Sequence, residues 1–349
     1  MKILVRSTNW VGDAIMSLPA LQALRQHWPD AETALLAKPW VADLLRGQEI
    51  ANQLIVYDSK GLHRGAWGRE RLARELRREN FDLAVLFQNA FDAAWIAWRA
   101  GIPERIGYAR DARSWLLTQA IAVPKPGETR PHECYYYLEL LRRAGWLDEL
   151  PVVTEIRLTI PGQARETAED RLRQGGLQDA GLRVAIAPGA NYGAARCWMP
   201  ERFASLADRF VDEFGADVIL FGAPAEEEIV RRIAAGMRHR SLNLAGQTSI
   251  GDLPGLLSCC HIFIGNDSGA MHVAGAVGLR TLGIFGPTDP QGTSPMTPNF
   301  RMVRHPVECS PCFLRRCPID HRCMTRISVD DAYAAAHRWA MELAGGAHA

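Results

Sequence analysis

The chain has 349 residues, 48% of them hydrophobic and 23% charged, and its 40 lysines and arginines nearly balance its 39 aspartates and glutamates. This balance excludes a protein that recruits nucleic acid through a strong overall charge, and the length predicts two domains. The first apolar run ends at Arg6, too early for a signal peptide, and no apolar stretch is long enough to span a bilayer. We therefore expect a cytoplasmic protein whose membrane contacts are peripheral.

The first half alternates short apolar runs with amphipathic stretches, which is typical of βα units on a parallel sheet. Its predicted strands read KILVR, ETALLA, QLIVYD, DLAVLF and ERIGY, and its predicted helices cover 14–27, 69–78 and 93–100. The second half repeats the pattern with RVAIAPGA, DVILFGAP, SLNLAGQ, HIFIGND and RTLGIFGPTDP, and with helices over 201–214 and 225–235. We predict two doubly wound α/β domains, 1–165 and 178–327, and a last helix, 328–345, that crosses back to the first domain.

The strongest ligand-binding pattern follows the strand HIFIG, since ligands of open parallel sheets bind at the carboxyl ends of strands. Asn266 to Gly269 turn the chain into a helix of small residues, whose free N–H groups and dipole predict a phosphate site. Ser268 and His272 are one helical turn apart and share a face. The alternative is that Asp267 or Ser268 only caps the helix and that His272 is a surface histidine.

Two further loops of the second half carry charged residues that suit a nucleotide. Arg196 comes just before a helix opened by Pro200, where its guanidinium can neutralise a diphosphate; a solvated loop charge is the alternative. Glu226 to Glu228 lie in the first turn of a helix. They either complement the helix dipole or include one carboxylate that binds ribose hydroxyls.

In the first half, Asp13 lies at the start of a predicted helix, whose dipole favours the ionised carboxylate. An ionised carboxylate can accept a proton from an attacking hydroxyl, although Asp13 taken alone is also explained as a helix cap. Arginines gather further along the same half, and they form either an anion-binding surface or a solvated face. They are Arg105, Arg110, Arg113 and Arg130.

Four of the eight cysteines lie close together in sequence: Cys309, Cys312, Cys317 and Cys323. The opening C-x2-C fits a zinc knuckle, whereas the later spacings fit less well. A reduced, locally packed loop or an occasional disulfide is the alternative.

Three stretches together resemble the ADP-heptose:lipopolysaccharide heptosyltransferases of glycosyltransferase family 9: NWVGDAIMSLPALQAL, PGANYGAARCWMPERF and NDSGAMHVAGAVGLRTLGIFGPTDP. The similarity covers both predicted domains in the same order. NWVGDAIMS and CSPCFLRRCPIDHRCM resemble the members that add the second inner-core heptose. The resemblance implies a GT-B architecture, in which two Rossmann-like domains face a central cleft, with the acceptor on the first and the ADP-sugar on the second.

The resemblance also implies residue roles in an inverting transfer of L-glycero-D-manno-heptose to the first heptose of the lipopolysaccharide inner core. Asp13 is then the general base, and Arg196, where the family usually has lysine, offsets the charge of the leaving group. The implied donor-binding residues are Asn191, Tyr192, Glu228, Thr248, Asp267, Ser268, Gly269 and His272. The implied acceptor-binding residues are Arg105, Arg110, Arg113 and Arg130.

These roles require no metal and no cofactor besides the donor substrate, although Mg²⁺ bound by the nucleotide can stimulate transfer. The expected partners are ADP-L-glycero-β-D-manno-heptose and a lipid A core acceptor at the cytoplasmic face of the inner membrane. Alternatives are a heptosyltransferase for another core position (type I or III) and a non-catalytic nucleotide-binding scaffold. A nucleotide-sugar epimerase or dehydrogenase fits less well, because STNWVGD lacks the G-x-G-x-x-G fingerprint.

Overall fold

The computed structural model describes residues 1–177 and 181–346, which form two compact units that divide between Val153 and Thr154. The first unit contains strands β1 Lys2–Arg6, β2 Glu32–Ala37, β3 Gln53–Val56, β4 Leu83–Leu86, β5 Glu104–Tyr108 and β6 Gln119–Ile121. Its α-helices are α1 Val11–Met16, α2 Leu18–His27, α3 Pro39–Leu44, α4 Gly65–Arg78, α5 Phe91–Arg99 and α6 Glu133–Arg143.

The second unit repeats this alternation. Its strands are β7 Arg183–Ala187, β8 Asp217–Leu220, β9 Leu242–Asn243, β10 Ile262–Asn266, β11 Arg280–Phe285 and β12 Phe300–Arg304. Its α-helices are α7 Gly162–Gln174, α8 Pro200–Phe214, α9 Glu227–Gly236, α10 Leu253–Ser258, α11 Gly269–Ala276, α12 Pro290–Thr293, α13 Arg322–Thr325 and α14 Val329–Gly346.

Both sheets are parallel and share one topology. Within the described residues their orders are β3-β2-β1-β4-β5-β6 and β12-β11-β10-β7-β8-β9, which is the Rossmann order read from opposite edges. The predicted α/β class is therefore confirmed. The strand order reverses between β1 and β4 in the first unit and between β7 and β10 in the second, so ligands are expected at the carboxyl ends of these strands.

The ten predicted strands are confirmed, but β6 and β12 were missed. Both lie at sheet edges. β6 has only three residues, and β12 (FRMVR) places arginines beside its apolar residues, so neither contains the continuous apolar run that identifies a central strand.

The single helix predicted over 14–27 is two helices, α1 and α2. Ser17 lies between them and its hydroxyl donates to the carbonyl oxygen of Ala14 at 2.9 Å. Pro19 has no N–H to continue the ladder of α1, so the chain starts a new helix there. The short α1 consequently carries Asp13 at the edge of the sheet.

The unit boundary and the last helix differ from the sequence-based expectations. α7 packs on α10 of the second unit, although residues 162–165 were predicted in the first, and the predicted start at 178 lies outside the described residues. The last helix, α14, was predicted to pack on the first domain, and it packs on α8 and on the second sheet. Its small and aromatic face explains this, because Ala332, Ala336 and Trp339 are part of the core of the second unit.

No described helix combines the length and apolar character that crossing a membrane requires.

Candidate active site

The best-defined polar site of the second unit is an ion pair between Asp267, the residue after β10, and Arg196. Nη1 of Arg196 lies 2.9 Å from Oδ2 of Asp267, and the two side chains are 19% and 3% exposed. The hydroxyl of Thr288 donates to the same carboxylate oxygen at 2.7 Å. Burial raises the pKa of Asp267, and Arg196 and Thr288 oppose that rise.

Arg196 is held on a second side by an aromatic ring. Its guanidinium carbon lies 4.2 Å from the centre of the Tyr192 ring, and the Tyr192 hydroxyl donates to the carbonyl oxygen of Phe313 at 3.1 Å. Nε of Arg196 is buried and has no hydrogen-bond partner among the described residues. Arg196 is therefore a positioned cation with a spare donor, and the interpretation of a solvated loop charge is wrong.

Asn266 joins the loop that carries Arg196 to the end of β10. Its buried side chain accepts a hydrogen bond from the backbone N–H of Trp198 at 3.0 Å and donates to the carbonyl oxygen of Pro188 at 2.6 Å. Sequence reasoning did not assign Asn266 a role. A polar residue at the end of an apolar strand was the available signal, because a buried amide must find partners.

The helix α11 has the properties expected of an anion site. Ser268 occupies its N-cap position but makes no side-chain capping bond, and its buried hydroxyl has no partner within the described part of the chain. His272 is buried on the same helix, so the alternative of a surface histidine is wrong. The hydroxyl of Ser268, beside the free N–H groups of the first turn, remains available to a ligand.

The three glutamates near the start of α9 differ in their surroundings. The Glu226 carboxylate accepts from the backbone N–H of Ala223 at 2.8 Å and lies where a methyl group on Gly189, at the end of β7, would overlap it. Burial raises the pKa of Glu226. Glu228 is 66% exposed and pairs with Arg231 of its own helix. The carboxylate of Glu226 therefore lies at the carboxyl end of β7, and that of Glu227 lies against Gly246 after β9, whereas the resemblance favoured the exposed Glu228.

The other predicted donor residues lie at the same edge of the second sheet. Asn191 and Tyr192 are in the loop between β7 and α8, with Asn191 exposed. Thr248 is half-buried in the turn between β9 and α10. The structure thus brings Arg196, Asp267 and Tyr192 into contact, and it places Thr248 at the end of a more distant strand.

Asp13 lies in the first turn of α1, three residues after the N-cap residue Trp10. It is therefore not the helix cap. Its charge acts on Tyr137 of α6: the pKa of this phenol is raised well above its usual value, first by burial and then by Asp13. α1 also packs on α6. The carboxylate consequently belongs to the first turn of a helix that starts at the carboxyl end of β1 and faces α6.

The four predicted acceptor arginines fall into two pairs. Arg105 donates to the carbonyl oxygens of Leu116 and Ile102, and the fully buried Arg113 donates to those of Tyr108 and Gln88. These two side chains hold loops of the first unit together. Both of the others are exposed: Arg110 and Arg130.

The cysteine-rich segment, residues 309–323, makes hydrogen bonds to the loop that carries Arg196. The backbone N–H groups of Cys312 and Phe313 donate to Pro287, and Ala195 exchanges hydrogen bonds with Arg315 and His321. All eight cysteines are free thiols. Over residues 1–177 and 181–346, no group of three or more His, Cys, Asp or Glu side chains is arranged to hold a metal ion.

Two Rossmann-like units in one chain, with polar loops at their carboxyl edges, are the arrangement of the GT-B glycosyltransferases. A sequence model of glycosyltransferase family 9 (heptosyltransferase) matches residues 69–322. The chain belongs to this family and is a glycosyltransferase.

Individual relatives agree with this assignment. Lipooligosaccharide heptosyltransferase 2 of Haemophilus influenzae and lipopolysaccharide heptosyltransferase 2 of Escherichia coli K12 are each 30% identical to the chain, over 87% of its length and 88% of theirs. The solved structure of E. coli ADP-heptose lps heptosyltransferase II matches with a TM-score of 0.83 and 26% identity, covering 98% of this chain and 99% of that one.

Proposed function

We propose that this protein is an inverting glycosyltransferase that moves L-glycero-D-manno-heptose from ADP-heptose to the first heptose of the lipopolysaccharide inner core. The heptosyltransferase 2 relatives support the choice of sugar and acceptor. The ion pair of Arg196 and the buried Asp267, beside the Ser268 hydroxyl at the start of α11, is the observation that carries the chemistry. It combines a cation, a carboxylate and free N–H groups, which suit a sugar diphosphate.

In this proposal the second unit binds the donor and stabilises the leaving group. As the bond between the anomeric carbon and the phosphate oxygen breaks, negative charge develops on ADP. Arg196 and the amino-terminal end of α11 offset that charge, because oriented donors act most strongly where charge appears in the transition state. Asp267 accepts hydrogen bonds from heptose hydroxyls, and Glu226 takes the ribose role that the resemblance gave to Glu228.

The first unit supplies the base. Asp13 accepts the proton of the acceptor hydroxyl while that oxygen forms its bond to the anomeric carbon from the side opposite the leaving ADP. A single displacement of this kind inverts the β linkage of the donor to an α linkage. No step requires a metal ion.

The acceptor is a lipid A core precursor that carries Kdo carboxylates and phosphates, which places the enzyme at the cytoplasmic face of the inner membrane. Arg110 and Arg130 are exposed and suit contacts with these anions. The side chains of Arg105 and Arg113 are bound to backbone carbonyls of the first unit, so we assign them to loop structure.

Glu226, which precedes α9, and Glu228, in its first turn, provide a matched test of the ribose contact. Glu226→Gln removes a carboxylate that lies at Gly189, so we expect the KM for ADP-heptose to rise about tenfold. Glu228→Gln changes an exposed surface pair, and its donor KM is expected to stay at the wild-type value. Steady-state kinetics at saturating acceptor measures both. A larger effect from Glu228→Gln would return the ribose role to Glu228.

The choice of acceptor is tested with two purified substrates. We expect transfer from ADP-heptose to Kdo2-lipid A that already carries one heptose, and no transfer to the same molecule without it. Mass spectrometry of the products measures both reactions. Transfer only to the non-heptosylated acceptor would identify a type I enzyme, and no transfer from ADP-heptose to either acceptor would favour a binding scaffold.

A further inference from the structure

A second polar cluster of the first unit lies outside the residues used in the proposed transfer. It is built at the carboxyl ends of β1, β2 and β3, where the parallel register pairs Arg6 with Leu36 and Leu36 with Ile55. Because side chains alternate along a strand, Arg6, Lys38 and Tyr57 lie on one face of the sheet. Residues at the carboxyl ends of three neighbouring strands are thereby brought together on this face.

Two cations of this cluster share a single aromatic ring. Nζ of Lys38 lies 3.6 Å from the centre of the Tyr57 ring, and the guanidinium carbon of Arg6 lies 5.3 Å from it. Arg6 is only 1% exposed and Lys38 only 7%. The pKa of Lys38 is lowered to about 8, first by burial and then by the charge of Arg6. Two buried cations on one ring repel each other, and a bound anion offsets that repulsion.

Two carboxylates act on Lys38, and both make hydrogen bonds to groups other than its ammonium. Asp92 accepts a hydrogen bond from the hydroxyl of Tyr57 at 2.9 Å, and its carboxylate lies 3.9 Å from Nε of Arg69. Arg69 is thus a third cation of the cluster. Asp58 accepts backbone N–H groups of the turn that follows it. Among the described residues, no hydrogen bond or ion pair is made by the Lys38 ammonium.

Other donors in the cluster also lack partners. Nε of Arg6 and the hydroxyl of Thr8 are buried without a hydrogen-bond partner in the described parts of the chain. Thr8 lies in the loop that directly follows β1, two residues after Arg6. A buried donor without an acceptor is destabilising, and a ligand that supplies acceptors removes that cost.

We propose that Lys38, Arg6 and Thr8 form a binding site for an anionic group of the acceptor, a carboxylate of an acidic sugar or a phosphate. This inference rests on the proposed function, because it takes the acceptor to be an acidic lipopolysaccharide core. The site borders the loop that leads to Asp13. Arg6 donates to the side-chain oxygen of Asn9 at 2.7 Å, and Trp40 donates to the backbone carbonyl oxygen of Asn9 at 2.8 Å. Asn9 is four residues before Asp13, so an anion bound here orients the acceptor near the base.

The direct test follows the titration of Lys38 by NMR. The chain has only four lysines, Lys2, Lys38, Lys60 and Lys125, so lysine-labelled full-length protein gives a simple spectrum. We expect Lys38 to titrate near pH 8 in the free protein. Its pKa should rise when a deacylated mono-heptosyl Kdo oligosaccharide is added, because a bound anion favours the charged ammonium.

The source of the anion is distinguished by two forms of this oligosaccharide. A rise with the dephosphorylated form identifies the sugar carboxylate, and a rise only with the phosphorylated form identifies a phosphate. No change with either form contradicts the proposed site. Since this measurement needs no transfer, it separates failure of the site from failure of the proposed reaction.

Kinetics of a lysine variant gives a second test. Lys38→Met keeps the length of the side chain and removes its charge, so we expect the acceptor KM to rise about tenfold or more and the donor KM to stay unchanged. The wild-type acceptor KM should itself rise above about pH 8, as Lys38 loses its proton. Lys125→Met is the matched control and should leave both KM values unchanged. A folded Lys38→Met with the wild-type acceptor KM contradicts the assignment.

Discussion

Replacing Asp13 by asparagine is expected to lower kcat for heptose transfer by about 10²–10⁴-fold, the usual contribution of a positioned general base. The asparagine keeps the size of the side chain and cannot accept the proton of the acceptor hydroxyl. Because the proposed donor site lies in the second unit, affinity for ADP should stay at the wild-type value. Single-turnover kinetics and calorimetric titration with ADP measure the two quantities.

Asp30→Asn is a suitable control for this variant, since Asp30 is an exposed aspartate of the same unit outside the proposed site. We expect it to transfer heptose at the wild-type rate. Thermal unfolding of both variants shows whether the fold is kept. Near-normal turnover in a folded Asp13→Asn would leave Asp13 without a catalytic role.

The second large effect is expected at Arg196, which pairs with the buried Asp267 and has the proposed role at the leaving group. Arg196→Ala removes the cation from the diphosphate, and we expect kcat to fall about 10²–10³-fold. It also leaves the Asp267 carboxylate buried without its ionic partner, which should lower the free energy of unfolding by about 3–5 kcal/mol. Denaturant unfolding and transfer assays measure the two losses separately.

A double variant separates the two roles of Arg196. Adding Asp267→Asn to Arg196→Ala removes the stranded charge, so stability should recover in part while transfer stays low. Arg196→Lys keeps the charge without the bidentate geometry, and its turnover should lie between those of the wild type and Arg196→Ala. Wild-type turnover in a stable Arg196→Ala would remove this residue from the mechanism.

The sequence predicted the parts of this protein that depend on local patterns. Continuous apolar runs identify the central strands, and the rule that ligands bind at the carboxyl ends of strands selects the loops of Asp13, Arg196 and Asp267. What remained hidden depends on tertiary partners. Arg113 looked like a surface cation, but its guanidinium is buried on backbone carbonyls that are brought near by the fold.

Two further contacts depend on strand register and helix packing, which residue types alone do not determine. Glu226 and Glu228 have the same charge and lie in one turn, and only the position of α9 against Gly189 decides which carboxylate reaches the edge of the sheet. Lys38 and Tyr57 are 19 residues apart and become neighbours because β2 pairs with β3. Neither contact can be predicted from residue type or sequence spacing.

The proposed reaction is tested most directly by the linkage and position of the heptose in the product. The enzyme is incubated with ADP-L-glycero-β-D-manno-heptose labelled with ¹³C at the anomeric carbon and with the mono-heptosylated acceptor, and the product is examined by NMR. We expect a second heptose joined to the first through an α linkage. A β-linked product would contradict inversion, and a product in which heptose is attached to Kdo would contradict the assigned acceptor.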